Sequence, residues 1–303
     1  MTASTQTLPA WLRMLYPFTL KTFATSGGAK MSYVDERGTG QSPGDDSAVL
    51  LVHGNPTWSF YYRHAITALV ASGRRCIAPD HIGMGLSEKP QDYKYTLAQR
   101  ISDLEALVLS LGLKQIDLVV HDWGGAIGFG LAARHPQLIR RIVILNSAAY
   151  PSEHIPKSIS LCKTSFPGSL IVRTFNGFAR AATKWAMNRR TLTADEKNGY
   201  LYPYSNYDDR VAIDAFIKDI PSDAGHPSFT TLRRVAEGLD QFRRRKVLII
   251  WGAVDFCFDA NFFEEWRKYI PEAKVHLIAD AGHYVADDAY EQVSPMIVNF
   301  FKS

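Results

Sequence analysis

Short apolar runs that alternate with helix-like stretches constrain the fold of this 303-residue chain more than any other feature. The runs AVLLVHG, RRCIAPD, IDLVVHD, IRRIVILNSA, KVLIIWG and KVHLIADAGH each end at a polar residue or glycine, and MSYVDERG precedes them as an alternating run. Continuous apolar runs of this length are typical of strands buried on both faces of a sheet. Because helical stretches separate them, the sequence predicts an α/β fold with a doubly wound, mostly parallel sheet.

The alternation stops between residues 148 and 235. This segment is rich in Pro, aromatic and basic residues and contains no clear core strand. We interpret residues 148–235 as a helical cap, or lid, inserted after the sixth core strand, between a first core segment (1–147) and a second one (236–303). A cap above one edge of the sheet would enclose a pocket and exclude water from it.

Polar residues that end the apolar runs are the candidates for a functional site. Ligands of doubly wound sheets bind beyond the carboxyl ends of the strands. We therefore expect these polar residues to lie close together at that edge. They are His53, Asn55, Asp80, Asp122, Asn146, Asp255 and His283.

Asp122 lies in the motif VHDWGG, between a predicted strand and a helix that opens with Gly124 and Gly125. This pattern has the G-x-S-x-G form of a nucleophile elbow, with Asp in place of Ser and Val in the first small position. A small residue, here Gly124, must stand two positions after the nucleophile because the strand and helix backbones approach each other closely. Taken alone, the motif also fits an Asp that only caps the helix.

Two distant residues favour a catalytic role for Asp122. His283 follows the last strand in ADAGHY, and Asp255 follows the preceding strand in WGAVDFCFD, where it can orient the histidine. The chain order Asp122, Asp255, His283 is the nucleophile, acid, base order of α/β-hydrolases. A metal site of Asp122, His121 and His283 is the alternative. Neither an HExxH motif nor a paired-histidine spacing supports it, so we expect no metal.

Four motifs resemble the haloalkane dehalogenase branch of the α/β-hydrolase family, and the similarity extends over nearly the whole chain. They are HGNPTWSFYYR (53–63), PDHIGMGLSEKP (79–90), HDWGGAIGFG (121–130) and DAGHY (280–284).

The resemblance implies that Asp122 is the nucleophile and that Asn55 and Trp123 hold the leaving halide. One subfamily takes its acid from a Glu after the sixth strand, where this chain has Asn146 and Ser147. The acid is therefore expected at Asp255, as in the subfamily that combines an Asn/Trp halide pair with an Asp after the seventh strand.

The function implied by this resemblance is the hydrolytic dehalogenation of small apolar haloalkanes, without a cofactor. Asp122 would attack the carbon that bears the halogen and form an alkyl ester. The side-chain N–H groups of Asn55 and Trp123 would stabilise the leaving halide ion. His283, oriented by Asp255, would then activate a water molecule that hydrolyses the ester.

Three other functions stay open from the sequence. The motifs DHIGMGLSEKP, DFCFD and DIP also resemble β-lactone decarboxylases of olefin biosynthesis, in which a carboxylate replaces the halide and loss of carbon dioxide gives an alkene. Epoxide hydrolases need cap tyrosines, which Tyr200, Tyr202, Tyr204 and Tyr207 could supply, but usually have an aromatic residue at the position of Asn55. A non-catalytic protein of this fold would be expected to lose the triad. We rank dehalogenation first, although motifs do not separate it from decarboxylation.

Composition limits the partners and the compartment. The net charge of +4 is small, and the basic segments 189–190 and 243–246 lack interleaved aromatic residues, so we expect no nucleic-acid partner. Three widely spaced cysteines predict neither a disulfide framework nor a zinc site and favour a cytoplasmic location.

The N-terminal stretch TLPAWLRMLYPF predicts a short amphipathic helix that Pro17 terminates. Leu8, Trp11, Leu12 and Leu15 fall on one face of it. This face favours a helix docked on the domain. Its combination of Trp, Leu and Arg also suits weak attachment to a membrane surface, so the sequence leaves both interpretations open.

Overall fold

The computed structural model describes residues 8–41, 46–152 and 156–302 and contains one mixed sheet. Its strands are β1 (Leu20–Ala24), β2 (Lys30–Glu36), β3 (Ser47–Val52), β4 (Cys76–Pro79), β5 (Gln115–Asp122), β6 (Ile139–Ser147), β7 (Lys246–Gly252) and β8 (Lys274–Ile278). Their order across the sheet is β1-β2-β4-β3-β5-β6-β7-β8. The β1–β2 and β2–β4 pairs are antiparallel, whereas all pairs from β4 to β8 are parallel. The predicted doubly wound, mostly parallel sheet is confirmed.

Helices connect these strands. They are α1 (Ala10–Leu15), α2 (Arg63–Ala71), α3 (Leu97–Ser110), α4 (Gly124–Arg134), α5 (Lys157–Lys163), α6 (Gly177–Trp185), α7 (Ala194–Leu201), α8 (Val211–Lys218), α9 (Phe229–Glu237), α10 (Ala260–Tyr269), α11 (Val285–Asp288) and α12 (Tyr290–Lys302). In the core, α2 packs against α12 and α3 packs against α4. Helices α2, α3 and α4 lie within the helix-like stretches 61–73, 97–112 and 124–136, which separate apolar runs in the sequence.

The strand order places a crevice at the carboxyl ends of β3 and β5. From β3 the chain moves to β4 on one side and then crosses to β5 on the other side. Parallel crossovers are right-handed, so this reversal puts the connecting helices on opposite faces and opens a gap between the loops. The segment after β3 contains Asn55, and β5 ends at Asp122, so both candidates lie at this crevice.

Strand β1 is the one described strand that no sequence run predicted. Four of its five residues are partly buried and the last is exposed. It pairs only with β2, at the edge of the sheet. An edge strand with one partner does not need the continuous apolar composition of a buried strand, so LKTFA gives a weak signal.

The described residues between β6 and β7 contain helices α5 to α9 and a π-helical turn at Leu170–Thr174, with no strand. We propose residues 148–235 as the cap, which then includes α5 to α8 and most of α9. One of its contacts with the core is made by α8, whose Ile213 carbonyl accepts a hydrogen bond from Asn55.

Helix α1 docks on the cap through α7. Leu8 and Leu12 are buried, and the ring of Trp11 packs edge-on against Tyr202 with 6.1 Å between ring centroids. Met14 is 78% exposed. The burial of Leu8 and Leu12 agrees with a docked helix. None of the described helices combines the length and the apolar composition needed to cross a bilayer.

Candidate active site

Asp122 is the last residue of β5 and adopts a left-handed backbone conformation with φ of 53°. A residue other than glycine rarely adopts this conformation, and such local strain is typical of functional sites. Helix α4 starts two residues later. A Cβ atom on Gly124 would lie 2.0 Å from the Val52 carbonyl oxygen, and one on Gly125 would lie 2.0 Å from Ser147 Oγ. The sharp turn therefore requires both glycines, and the nucleophile-elbow pattern predicted this for Gly124.

The structure brings Asp122, Asp255 and His283 together from the ends of three different strands. His283 Nε2 lies 3.6 Å from Asp122 Oδ2, and His283 Nδ1 lies 2.8 Å from Asp255 Oδ2. All three residues are buried. This is the arrangement of a nucleophile, a base and an acid that orients the base.

Charges within this group fix its resting protonation state. Burial disfavours a charged imidazole, but the charge of Asp255, the close approach of Asp122 and the hydrogen bond with Asp255 outweigh it and raise the pKa of His283 to about 10. Burial also disfavours the Asp122 carboxylate, yet His283 and the Asn55 N–H hold the pKa of Asp122 below its usual value. At neutral pH the pair is therefore an imidazolium beside a carboxylate.

Asp255 is held by three further donors. Its Oδ1 accepts the backbone N–H groups of Cys257 at 2.6 Å and Phe258 at 3.0 Å. Asn146 Nδ2 donates to its Oδ2 at 2.8 Å, while the same amide exchanges hydrogen bonds with the backbone of Gly252. Sequence reasoning placed Asn146 at this edge without a role. The structure shows that it anchors the acid to the end of β7.

Asn55 contacts both the nucleophile and the cap. Its backbone N–H donates to Asp122 Oδ1 at 2.7 Å, and its Nδ2 donates to the Ile213 carbonyl at 3.2 Å. An amide nitrogen carries two hydrogens, so a second N–H remains available. The Trp123 indole N–H has no partner within the described part of the chain, and both residues line the cavity. Two N–H donors are thus available to an anion beside Asp122.

Two other candidates among the polar strand ends, His53 and Asp80, connect loops. His53 Nε2 accepts the backbone N–H of His81 at 3.1 Å. Asp80 accepts the backbone N–H groups of Ser59 and Leu86, both at 2.8 Å. Burial lowers the pKa of His53 to about 4, so its ring is neutral and suited to accept this bond.

His121 does not turn towards the reacting atoms. Its Nε2 contacts the backbone carbonyl of His283 at 2.9 Å, and its ring stacks on Tyr61. Burial and the positive charge of His283 lower the pKa of His121 to about 3. A neutral ring that donates to this carbonyl fixes the backbone of the candidate base.

A largely apolar cavity opens onto Asp122. Its walls come from the core and from the cap, and they include Tyr150, Ile159, Phe178, Ile217, Leu232 and Phe262. Asn55, Asp122, Trp123 and His283 contribute polar groups to its lining. Such a cavity suits an apolar substrate with one reactive polar group.

The four tyrosines considered for epoxide hydrolysis, Tyr200, Tyr202, Tyr204 and Tyr207, do not line this cavity. Tyr200 donates to Asp287 at 2.6 Å, and Tyr204 accepts the Gly85 N–H at 3.2 Å. Tyr202 and Tyr207 are exposed. None of the four is available to protonate an alkoxide formed at Asp122.

A buried charge cluster joins the cap to the core close to the candidate base. Arg63 on α2 contacts Asp287 on α11 and Glu196 on α7. Arg190 pairs with the same two carboxylates. Although His64, Glu196 and Asp287 have the spacing of a metal site, the two guanidinium groups already neutralise the carboxylates. This cluster, which the sequence did not reveal, fixes the cap to the segment that follows His283.

Comparisons with known proteins place the chain in a family. A sequence profile described as "alpha/beta hydrolase fold" matches residues 47–290. A cis-3-alkyl-4-alkyloxetan-2-one decarboxylase from Shewanella oneidensis is 41% identical over 295 residues, which cover 95% of this chain and 90% of that protein. The protein of the same name from Xanthomonas campestris is 39% identical, covering 95% of this chain and 97% of that protein. Haloalkane dehalogenase 2 of Mycobacterium tuberculosis is 28% identical, with coverages of 95% and 96%.

Solved structures agree with these relatives. The haloalkane dehalogenase DbeA from Bradyrhizobium elkani superposes with a TM-score of 0.81 and 27% identity, over 94% of this chain and 99% of that one. The profile matches most of the chain, and the identity of 41% extends over 95% of it, so the similarity includes the sequence as well as the fold. The chain therefore belongs to the α/β-hydrolase fold family, among the enzymes related to these decarboxylases and haloalkane dehalogenases.

Proposed function

We propose that this enzyme converts a cis-β-lactone with two alkyl substituents into an alkene and carbon dioxide, through a covalent intermediate on Asp122. The observation that carries this proposal is the identity of 41% and 39% to two decarboxylases named for such lactones, against 28% to haloalkane dehalogenase 2. From the sequence motifs alone we placed dehalogenation before decarboxylation. The higher identities to the decarboxylases favour decarboxylation as the first candidate.

The first step is attack by Asp122 on the saturated ring carbon that is bonded to the ring oxygen, not on the carbonyl carbon. Asp122 Oδ1 already accepts the Asn55 N–H, so Oδ2 is the attacking atom. A bond forms between Oδ2 and the carbon, and the bond from that carbon to the ring oxygen breaks. The ring oxygen keeps the electron pair, which leaves a carboxylate on the neighbouring carbon. A carboxylate nucleophile suits this step because it loses no proton.

The carboxylate released from the lactone needs stabilisation in an apolar cavity. The indole N–H of Trp123 and the second amide N–H of Asn55 can donate to it. His283 carries a positive charge at neutral pH and lies 3.6 Å from Asp122 Oδ2. In a dehalogenase the corresponding N–H groups would donate hydrogen bonds to the halide ion. Here they would donate to the released carboxylate.

The second step releases both products. The bond from the carboxylate carbon to its neighbour breaks, and its electron pair forms the carbon–carbon double bond. As the double bond forms, the bond from the other carbon to Asp122 Oδ2 breaks and its electron pair returns to the oxygen, which restores the Asp122 carboxylate. No water, proton or cofactor is consumed, so His283 acts in this reaction as a fixed positive charge.

Hydrolytic dehalogenation is the second candidate, supported by the two N–H donors beside Asp122 and by the similarity to DbeA. There, water must hydrolyse the Asp122 ester. Because esterification removes the negative charge of Asp122, it lowers the proton affinity of His283 and favours the neutral base. His283→Ala should then release one halide per enzyme and stop, with an alkyl adduct on Asp122 detectable by mass spectrometry. Halide release in a burst from unmodified enzyme would exclude this covalent route.

A side-by-side assay separates the two candidates. The enzyme is given a cis-3,4-dialkyl β-lactone or a 1-haloalkane, and alkene, carbon dioxide, hydroxy acid and halide are measured. We expect alkene and carbon dioxide from the lactone, and no such product from Asp122→Asn. Asp259→Asn is the matched control because Asp259 is exposed and caps α10. Rapid halide release from the 1-haloalkane, together with no alkene from the lactone, would contradict the proposal.

A further inference from the structure

Aromatic rings surround the imidazole of His283. The Phe258 ring lies 5.6 Å from it between centroids, with the two planes 16° apart, and the Phe256 ring lies 6.1 Å away. The rings of His121 and Tyr284 lie at 4.6 and 5.6 Å. Several aromatic rings around one group are the arrangement with which proteins hold organic cations. We refer to these four rings as the ring cage of His283.

Two members of the ring cage face the substrate cavity. Phe256 and Phe258 line it together with His283, whereas His121 and Tyr284 are not among its lining residues. His283 is only 4% exposed, so water contributes little to the solvation of its charge. A cation beside an aromatic ring gains more in such a desolvated position than at the protein surface. The two phenylalanines therefore stabilise a positive charge on His283 from the cavity side.

The carboxylate of Asp255 fixes Phe258 relative to the candidate base. Its Oδ1 accepts the Phe258 backbone N–H at 3.0 Å, and its Oδ2 lies 2.8 Å from His283 Nδ1. The Phe258 ring also packs edge to face against Phe262, a buried residue of α10, with 5.0 Å between centroids. The offset stack of Phe258 on His283 is therefore held by the same carboxylate that orients the base.

The charges near His283 change during the proposed reaction, but the rings do not. The carboxylates of Asp122 and Asp255 lie 3.6 and 2.8 Å from its two nitrogens. Burial shifts the pKa of the other titratable side chains near it so that the neutral form prevails, and these are His121, Tyr284 and Cys257. Formation of the ester removes the negative charge of Asp122, and the carboxylate released from the lactone supplies another. The ring cage stabilises the imidazolium in each of these states.

We propose that Phe258, assisted by Phe256, keeps His283 in its cationic form during turnover and thereby directs the Asp122 ester to decarboxylation. This inference rests on the proposed lactone reaction and names the residues that set its product. Hydrolysis is the competing fate of the ester. Water attacks the ester carbonyl carbon, neutral His283 accepts the proton, and the bond from that carbon to the alkyl oxygen breaks. The alkyl oxygen leaves with the electron pair and takes the proton, which gives a hydroxy acid and free Asp122. A cationic imidazole accepts no proton, whereas decarboxylation needs no base.

The proton affinity of His283 in the resting enzyme tests the ring cage without any substrate. NMR of the full-length protein with isotope-labelled imidazole groups follows the titration from neutral to alkaline pH, and His283→Gln identifies the signal. Phe258→Leu keeps an apolar side chain but removes the ring. It should lower the proton affinity about 5-fold, which corresponds to about 1 kcal/mol. Phe263→Leu is the matched control, since the Phe263 ring packs against Trp251 and does not line the cavity. It should leave the titration unchanged.

The products formed from a cis-3,4-dialkyl β-lactone test the effect on the reaction. Only neutral His283 supports hydrolysis, so a proton affinity about 5-fold lower should raise the ratio of hydroxy acid to alkene about 5-fold at neutral pH. Phe258→Tyr keeps the ring and should retain the wild-type ratio. Phe256→Leu should change the ratio in the same direction by a smaller factor, because its ring is more distant. Phe256 is 44% exposed, so this variant tests the ring cage with little loss of packing.

Failure of this inference and failure of the proposed reaction give different results. Circular dichroism and thermal unfolding first confirm that each variant is folded. Alkene from the wild type, with a product ratio and a His283 titration that Phe258→Leu and Phe256→Leu leave unchanged, would overturn the role of the ring cage and leave the reaction in place. Hydroxy acid without alkene from the wild type would contradict the reaction itself. The NMR titration would then still show whether the rings stabilise the charge on His283.

Discussion

Replacement of Arg63 by Met should destabilise the protein strongly, because Arg63 is the buried cation that joins three elements. Its guanidinium donates to Asp287 at 2.6 and 3.0 Å, to Glu196 at 2.8 Å and to the Phe60 carbonyl at 3.3 Å. It also lies over the Phe60 ring, 4.3 Å from the centroid. The two carboxylates help to hold the pKa of Arg63 above its usual value against the effect of burial. Met has a similar length and none of these donors.

The expected loss of folding stability follows from the two carboxylates, Asp287 and Glu196, that remain buried without Arg63. Removing one partner of a buried ion pair typically costs about 3–5 kcal/mol, because the other charge stays in the interior without compensation. Arg190 still contacts both carboxylates, so the loss should lie near the lower limit. In a chain of this length 1 kcal/mol shifts the unfolding midpoint by roughly 2–3 °C. We therefore expect Arg63→Met to lower the midpoint by roughly 6–10 °C.

Thermal unfolding followed by circular dichroism measures this shift. Arg267→Met is the matched control, since Arg267 pairs with Glu264 on the surface of α10, where both side chains are more than half exposed. Exposed pairs contribute about 0–1 kcal/mol, so this variant should unfold within roughly 3 °C of the wild type. Equal midpoints for the Arg63 and Arg267 variants would refute the argument that the buried cluster holds the cap to the core.

Three further predictions concern the site and the N-terminus. Asn55→Ala and Trp123→Phe should each lower turnover about 10²–10³-fold with little change in the unfolding midpoint, and near-normal steady-state rates would remove them from the site. The pKa of His283 is raised, so between its unfolded value of 6.5 and about 10 the folded state binds more protons than the unfolded state, and the free energy of unfolding should fall as the pH rises through this range. Denaturant titrations of His283→Gln should show a weaker pH dependence of the free energy of unfolding. A pH dependence equal to that of the wild type would contradict the assignment. Deleting residues 1–17 should lower the unfolding midpoint because Leu8 and Leu12 are buried, whereas loss of vesicle pelleting from a well-folded truncated protein would support lipid binding by α1.

The sheet and the positions of the strand ends could be predicted from sequence for a simple physical reason. A strand buried on both faces must be apolar throughout, and its end is marked by the first polar residue or glycine. Parallel strands then bring their carboxyl ends to one edge. Asp122, Asp255 and His283 could be placed together by this reasoning because each directly ends, or closely follows, such a strand.

Other parts of the site depend on contacts that no local pattern reveals. Asn146 holds Asp255 across 109 positions, through the pairing of β6 with β7. Arg63 contacts Asp287 across 224 positions, and in the sequence it is one Arg among many. The donors around an anion could be inferred from motifs. The residues that fix the base and the cap required the three-dimensional structure.

The oxygen atoms of Asp122 test the central claim most directly. The enzyme is given many turnovers of a cis-3,4-dialkyl β-lactone in water labelled with ¹⁸O, the alkene is measured, and the peptide that contains Asp122 is analysed by mass spectrometry. The proposed reaction returns the same oxygen to Asp122 in each turnover, so it predicts alkene formation with an unlabelled Asp122. Incorporation of ¹⁸O into Asp122, with hydroxy acid in place of alkene, would show hydrolysis of the ester by water and would contradict the account.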